Sequence, residues 1–193
     1  MESSAIWKIA CCLCILIFPV KSDAVSCVLN DKLIESGDLI YRYQDSFISN
    51  LVLKYQGDSS YSHVGIAIKE NGQIKVLHSL LEPDKKIDGV ISSSYCDYVR
   101  GSVRIEVKRL RESSLDVTNR LLKNIKVIGN KKFNRTFSLD AKNSVYCTQF
   151  IWLLFRDTTT ADPFEVDVKS NKIITVKKLL DSNHFFTVFN QSI

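Results

Sequence analysis

The sequence is short of proline and glycine, with three and seven in 193 residues, and that excludes collagen-like and linker-dominated architectures. It has no strong excess of charge. Lys plus Arg number 26 and Asp plus Glu 21, a net +5 spread along the chain. A nucleic-acid-binding domain needs a dense basic patch or stripe, so no nucleic-acid partner is expected. Histidine is scarce: His63, His78 and His184 are the whole supply, and any imidazole chemistry must be built from them. No Cys-x-x-Cys pair lies beyond residue 14. The Cys and His spacings match no structural zinc site, and neither a metal nor an organic cofactor is expected. Internal repeats, low-complexity tracts and convincing linkers are also missing.

What is present suits one ordinary domain. Hydrophobic residues make up 45 % of the chain, enough for a real core, which rules out global disorder. The longest early apolar run, Ile9 to Val20, reads IACCLCILIFPV. A bilayer span wants about 20 residues, and this run fits the hydrophobic region of a signal peptide. Ser22 and Ala24 place small residues before a cleavage point. Residues 1–24 therefore read as a signal peptide and 25–193 as the mature domain. The protein is expected to be exported, either periplasmic or secreted. An uncleaved anchor is one alternative. Lipidation at Cys27 is another, although Ala24-Val25-Ser26-Cys27 lacks a large aliphatic at its first position.

Cleavage would remove Cys11, Cys12 and Cys14 and leave Cys27, Cys96 and Cys147. An odd number in an exported chain suggests one disulfide and one free thiol. If Cys147 stays reduced, Cys27 and Cys96 are the pair left to bridge.

Hydrophobic periodicity orders the mature chain as follows. Leu39-Ile40-Tyr41 is a short strand after the Gly37-Asp38 turn. Asp45 can cap a helix from Ser46 to Tyr55. Ser62 to Ile68 and Ile74 to His78 are strands joined through the Asn71-Gly72 turn of a tight hairpin. Asp88 to Ile91 is another short strand, and Ser94 to Tyr98 a short helix. Val103 to Arg109 alternates as a half-buried strand. Ser114 or Asp116 opens a helix to about Ile128, and Lys131 to Ser144 is a polar loop. Val145 to Phe155 reads as a buried helix, with Ile173 to Val176 and Phe185 to Phe189 as closing strands. The class is mixed α+β with an antiparallel sheet.

A thiol nucleophile needs a base for its proton and a third group to orient that base. Cys147 lies near the start of the buried helix, where unpaired N–H groups favour a thiolate. His63 begins one hairpin strand and His78 ends the other. A mirror between Glu70 and Asn71 pairs positions 63 and 78, one or two residues from the Asn71-Gly72 turn. The two imidazoles are thus expected on one side of the hairpin, near its open end. Directly opposite side chains there lie about 5 Å apart. His184, in DSNHF, reads as a loop residue. Taken singly, each residue has an ordinary reading: a buried Cys is usually a small hydrophobe, and a His at a strand start is usually a surface group.

GDLIYR, a helix, YSHVGIAI, a hairpin to VLHS and later VYCTQFIW together resemble the circularly permuted papain-like amidases of the YiiX type. These are relatives of the NlpC-type cell-wall peptidases and of lecithin retinol acyltransferase. The similarity covers about Ile34 to Phe155, with a tail to Phe189. It implies a circularly permuted papain-like (NlpC-like) α+β fold, with an antiparallel sheet packed against helices. It makes Cys147 the nucleophile, His63 the base and His78 the third polar residue. Thr148 fits the family pattern, but Gln149 stands where the family carries an acid. Tyr41 and Tyr61 are candidates to line the cleft or to donate to an oxyanion, and equally fit ordinary half-buried aromatics. The backbone N–H of Cys147 is an expected oxyanion donor.

The implied activity is acyl transfer from an amide or ester to the thiol, followed by hydrolysis. A cell-wall peptide and an N-acyl or lipid substrate fit equally, and peripheral membrane contact is compatible with either. Two alternatives come from other classes. One is an inactive binding module of the same fold that holds peptide or lipid in the cleft. The other is a structural protein with Cys147 itself in a disulfide.

Overall fold

The computed structural model describes residues 31–57, 60–170 and 172–192. The expected signal peptide, its junction at Val25 and Cys27 lie outside the described residues. Among the described residues no helix is long and apolar enough to cross a membrane.

Among the described residues, eight strands and five α-helices follow one another as β1 (Leu39–Tyr43), α1 (Phe47–Gln56), β2 (His63–Glu70), β3 (Gln73–Glu82), β4 (Ile87–Ser94), α2 (Tyr95–Val99), β5 (Arg104–Leu110), α3 (Leu115–Ile128), β6 (Lys132–Phe133), β7 (Ser144–Val145), α4 (Cys147–Arg156), α5 (Val176–Leu180) and β8 (Phe185–Ser192). Six strands form one sheet in the order β4-β3-β2-β1-β5-β8. Each neighbouring pair is antiparallel. Strands β6 and β7 make a separate parallel pair.

Strand side chains alternate between faces, and β1 shows the consequence. Leu39 and Tyr41 join the core cluster built on Phe150, Ile151, Leu154 and Phe155 of α4. Ile40 joins a second cluster on the other face, under Tyr95, Tyr98 and Val99 of α2. Both faces of the central strands are thus covered, which is why LIYR and HVGIAI read as nearly continuous buried runs.

The β2–β3 hairpin pairs Glu70 with Gln73 and Ile66 with Leu77. Asn71 and Gly72 both have positive φ, 51° and 76°, the geometry of a type I′ turn, in which Asn-Gly is favoured. One further step of this register sets His78 opposite Gly65. His63 is therefore the diagonal neighbour of His78 on the same face, and not its direct partner.

Two local expectations are corrected. Ser46, not Asp45, caps α1, its side chain accepting from Ser49 N–H. Asp45 instead accepts from Asn50 Nδ2 at 3.2 Å. Phe47, Ile48, Leu51 and Tyr55 of α1 are exposed, and no residue of the helix is buried. Ile173 to Val176 is not a strand: Thr175 caps α5, which begins at Val176. Ile174 and Val176 are buried, but the backbone of Ile174 is satisfied by side chains. Its N–H donates to Tyr146 Oη at 2.8 Å and its carbonyl accepts from Thr148 Oγ1 at 2.6 Å, so no ladder partner is needed.

Candidate active site

Helix α4 begins at Cys147, with Tyr146 in extended conformation as its N-cap. The two-residue strand β7 ends at Val145, whose carbonyl accepts from Ser79 Oγ on β3 at 2.6 Å. That bond fixes the helix start against the sheet. Gln149, buried inside the first turn, holds the other side. Its Oε1 accepts from Asn134 Nδ2 at 2.9 Å and from Tyr146 N–H at 3.4 Å. Its Nε2 donates toward the Ser138 and Leu139 carbonyls at 3.4 and 3.5 Å. The residue that departs from the family pattern thus ties the 131–144 loop to the helix behind Cys147. Two carbonyls face the amide end, and an acid there would have no donor for them.

Cys147 is a free thiol. Its sulfur is met by the backbone N–H groups of Val64, Thr148 and Cys147 itself. The Val64 contact puts the thiol at the first peptide of β2, directly after His63. Burial pushes the thiol up to about 11, and those N–H groups and the Arg42 charge only partly offset it. Cys96 is disulfide-bonded; Cys27, its expected partner, is not among the described residues.

The hairpin brings His63 and His78 together, Nε2 of the first lying 3.0 Å from Nδ1 of the second. The rings meet edge-on, 86° apart in plane. Gly65 makes this possible. A Cβ there would lie 2.6 Å from Val76 Cγ1, 3.0 Å from the Leu77 carbonyl and 3.2 Å from His78 Cβ. The glycine of SHVGI is therefore the space into which His78 packs. On its far side, His78 Nε2 lies 3.1 Å from Ser93 Oγ on β4. Burial, the Arg42 charge and the neighbouring His78 hold His63 well below the usual imidazole range. Burial, with Arg42, lowers His78 to about 3.

Three neighbours escaped the sequence reading. Arg42 pairs with His63 across β1 and β2. Its guanidinium lies 4.5 Å over the Tyr98 ring and donates to the Tyr98 carbonyl. Its Nε is buried without a partner, and among the described residues no carboxylate pairs with it. Tyr98 stacks edge-on against His78, ring centres 4.9 Å apart, and donates to the Ile40 carbonyl at 2.9 Å. Arg42 was visible as the last residue of GDLIYR. Period-2 alternation sets it on the face opposite Tyr41, but only the register puts it beside His63. Ser93, inside the unremarkable run ISSS, carried no signal.

The remaining candidates sit elsewhere. Tyr41 is wholly buried in the α4-side core, and its hydroxyl has no hydrogen-bond partner among the described residues. Tyr61 packs 6.1 Å from it and donates to Asn190 Oδ1 at 3.3 Å. His184 is an exposed residue 4.0 Å from Glu165. Among the described residues no group of three or more His, Cys, Asp or Glu is placed to hold a metal ion.

Residues 33–189 match the family model described as permuted papain-like amidase enzyme, YaeF/YiiX, C92 family. The structure is similar to the crystal structure titled metalloprotein yiiX from Escherichia coli O157:H7. The TM-score is 0.67 at 17 % identity, over 82 % of this chain and 98 % of that one. That likeness is one of fold. No curated protein sequence matches significantly.

Proposed function

The chain belongs to the permuted papain-like amidases of the YaeF/YiiX type, C92 family, and from that premise we propose that it is an exported hydrolase working through Cys147, His63 and His78. The observation that carries the reading is the contact of His63 with His78 at 3.0 Å, with the Cys147 sulfur on the N–H of the next residue, Val64. The reading is supported by the nearness of both groups to the start of β2: His63 is its first residue, and the Val64 N–H beside it acts on the Cys147 thiol.

The 3.0 and 3.1 Å contacts admit either tautomer of each ring, and a base at His63 Nδ1 requires one of them. In that one, His63 donates its Nε2–H to His78 Nδ1, and His78 donates its Nε2–H to Ser93 Oγ. Nδ1 of His63 is then the free basic nitrogen. The raised thiol and lowered imidazoles make the resting state neutral, and the proton leaves as the sulfur attacks. His63 takes the Cys147 proton, and the thiolate adds to an amide or ester carbonyl. The oxyanion forms at the α4 start, where the Cys147 N–H can donate. His63 returns the proton to the departing amine or alcohol. Water, deprotonated by His63, then resolves the thioester and frees the thiol. The buried charge of Arg42 opposes protonation of His63 and favours the thiolate. The substrate class is a cell-wall peptide amide or an N-acyl or lipid ester.

Mass analysis after mixing with an activated acyl ester tests this directly. One acyl group on Cys147, absent in Cys147→Ala and formed far more slowly in His63→Ala, is the expected result. Acylation unchanged in Cys147→Ala overturns it. The high thiol pKa favours a second reading, a binding module that holds peptide or lipid without turnover. A parent protein that binds substrate but never acquires an acyl group would establish that reading.

A further inference from the structure

Helix α1 carries its apolar residues on the wrong side for a core. Phe47 is 76 % exposed, Ile48 67 %, Leu51 48 % and Tyr55 68 %. At about 100° per residue these four fall on one stripe roughly 100° wide. The half-buried residues Ser49, Val52, Leu53 and Gln56 form the opposite side. The helix is held by polar contacts: Tyr43 Oη donates to Asn50 Oδ1 at 2.8 Å, and Gln56 Oε1 accepts from the Lys177 N–H of α5 at 3.1 Å. The apolar stripe is left outward by construction.

We propose that α1 docks on an anionic bilayer surface and turns the Cys147 site toward it. The stripe is on a convex helix, and so offers no groove to a peptide. Phe47 and Tyr55 stand at its two ends, and aromatic residues favour the membrane interface. The helix holds no acidic residue and has Lys54 in its last turn. Exposed Lys178 stands on α5, next to the end of α1 through the Gln56 bond. An apolar stripe flanked by lysines is the pattern of an interfacial helix, with the cations set for anionic headgroups. The helix also reaches the site through one segment: Gln56 accepts from the Lys177 N–H, three residues on from Ile174, whose backbone bonds the side chains of Tyr146 and Thr148 on either side of Cys147. Docking would present the thiol to an acyl group carried in the bilayer. That consequence rests on the hydrolase reading, whereas the docking does not.

The test uses the full chain in a Cys147→Ala background, so that turnover plays no part. In Phe47→Trp, the added emission should shift blue and be quenched by acyl-chain bromines in vesicles of phosphatidylcholine mixed with phosphatidylglycerol. Vesicles of phosphatidylcholine alone should quench it several-fold less. Adding Ile48→Glu and Leu51→Glu should abolish the quenching at an unchanged melting temperature, and Lys54→Glu with Lys178→Glu should weaken it. Absence of quenching in mixed vesicles overturns the proposal, even if the chain sediments with them through another segment. Equal quenching in phosphatidylcholine alone overturns the anionic assignment. Emission already blue in buffer, with a doubled mass by light scattering, means that a second copy covers the stripe and also overturns it.

Discussion

His63 and His78 touch through one ring nitrogen each, at 3.0 Å, although neither is the other's direct partner in the hairpin. The diagonal contact exists because Gly65 stands between them without a side chain. His78 is left with its second nitrogen on Ser93, so the pair is one segment of a three-member chain ending on β4. In such a chain the tautomer of one ring sets that of the next.

The chain makes a graded expectation. His63→Ala should lower kcat/KM by about 10²–10⁴, the usual range for a general base. His78→Ala should cost less, because it removes orientation and leaves the base. Ser93→Ala should cost least and should act mainly on kcat. Steady-state kinetics on an activated ester would measure all three, and an effect of Ser93→Ala equal to that of His63→Ala would contradict the ordering.

Gly65→Ala should injure stability and activity together. Its new Cβ meets Val76 and the Leu77 backbone at 2.6 and 3.0 Å, and overpacking of this kind costs about 1–3 kcal/mol. His78 Cβ, at 3.2 Å, has to move, and its bond to His63 goes with it. Chemical denaturation together with kinetics would show both losses; full activity in a folded variant would refute the packing role of the glycine.

The buried imidazoles predict acid sensitivity. His78 falls to about 3 in the folded protein, against about 6.5 in an unfolded chain. Between those values the unfolded state binds a proton that the folded state does not, so stability is complete above pH 6.5 and is lost as pH falls toward 3. The slope is about 1.4 kcal/mol per pH unit for this one group. Melting temperatures of the parent and of His78→Asn from pH 7 to 4 should show a shallower decline in the variant. Parallel curves would contradict the assignment.

Gln149→Glu, which restores the family's acid, should destabilise this protein. The carboxylate keeps the Asn134 bond but loses two donors and faces the Ser138 and Leu139 carbonyls in a buried turn. The Ser138 carbonyl keeps its bond from Asn134 Nδ2 at 2.7 Å, but leaving the Leu139 carbonyl without its donor, beside a charge, costs about 1–3 kcal/mol. Denaturant midpoints would read the loss. A variant as stable as the parent would mean that the loop finds other donors.

Alkylation of Cys147 should be slow at neutral pH and climb as the medium approaches the thiol's value of about 11. Iodoacetamide rates followed by mass analysis would trace this. A rate at pH 6 well above that of free cysteine would instead indicate a thiolate already formed beside an imidazolium.

Much of this protein could be read from residue order alone, because the signals were local. Alternation and Asn71-Gly72 gave the hairpin, Ser94 and Ser114 marked helix starts, and SHVGI with VYCTQFIW carried the family. Reading failed where satisfaction came from far along the chain. Ile173 to Val176 has strand composition, but the Tyr146 and Thr148 side chains meet the backbone of Ile174, and Thr175 opens a helix. Helix α1 has core periodicity, but the sheet already has α2 and α4 on its two faces, so the stripe is turned outward. The same holds within the site. Its thiol and both histidines were visible as residue types at suggestive spacings. The roles of Gly65, Arg42 and Ser93 depend on register, since a one-residue slip moves a side chain to the other face of the sheet. That register is set by packing across strands distant in sequence, and only the folded chain decides it.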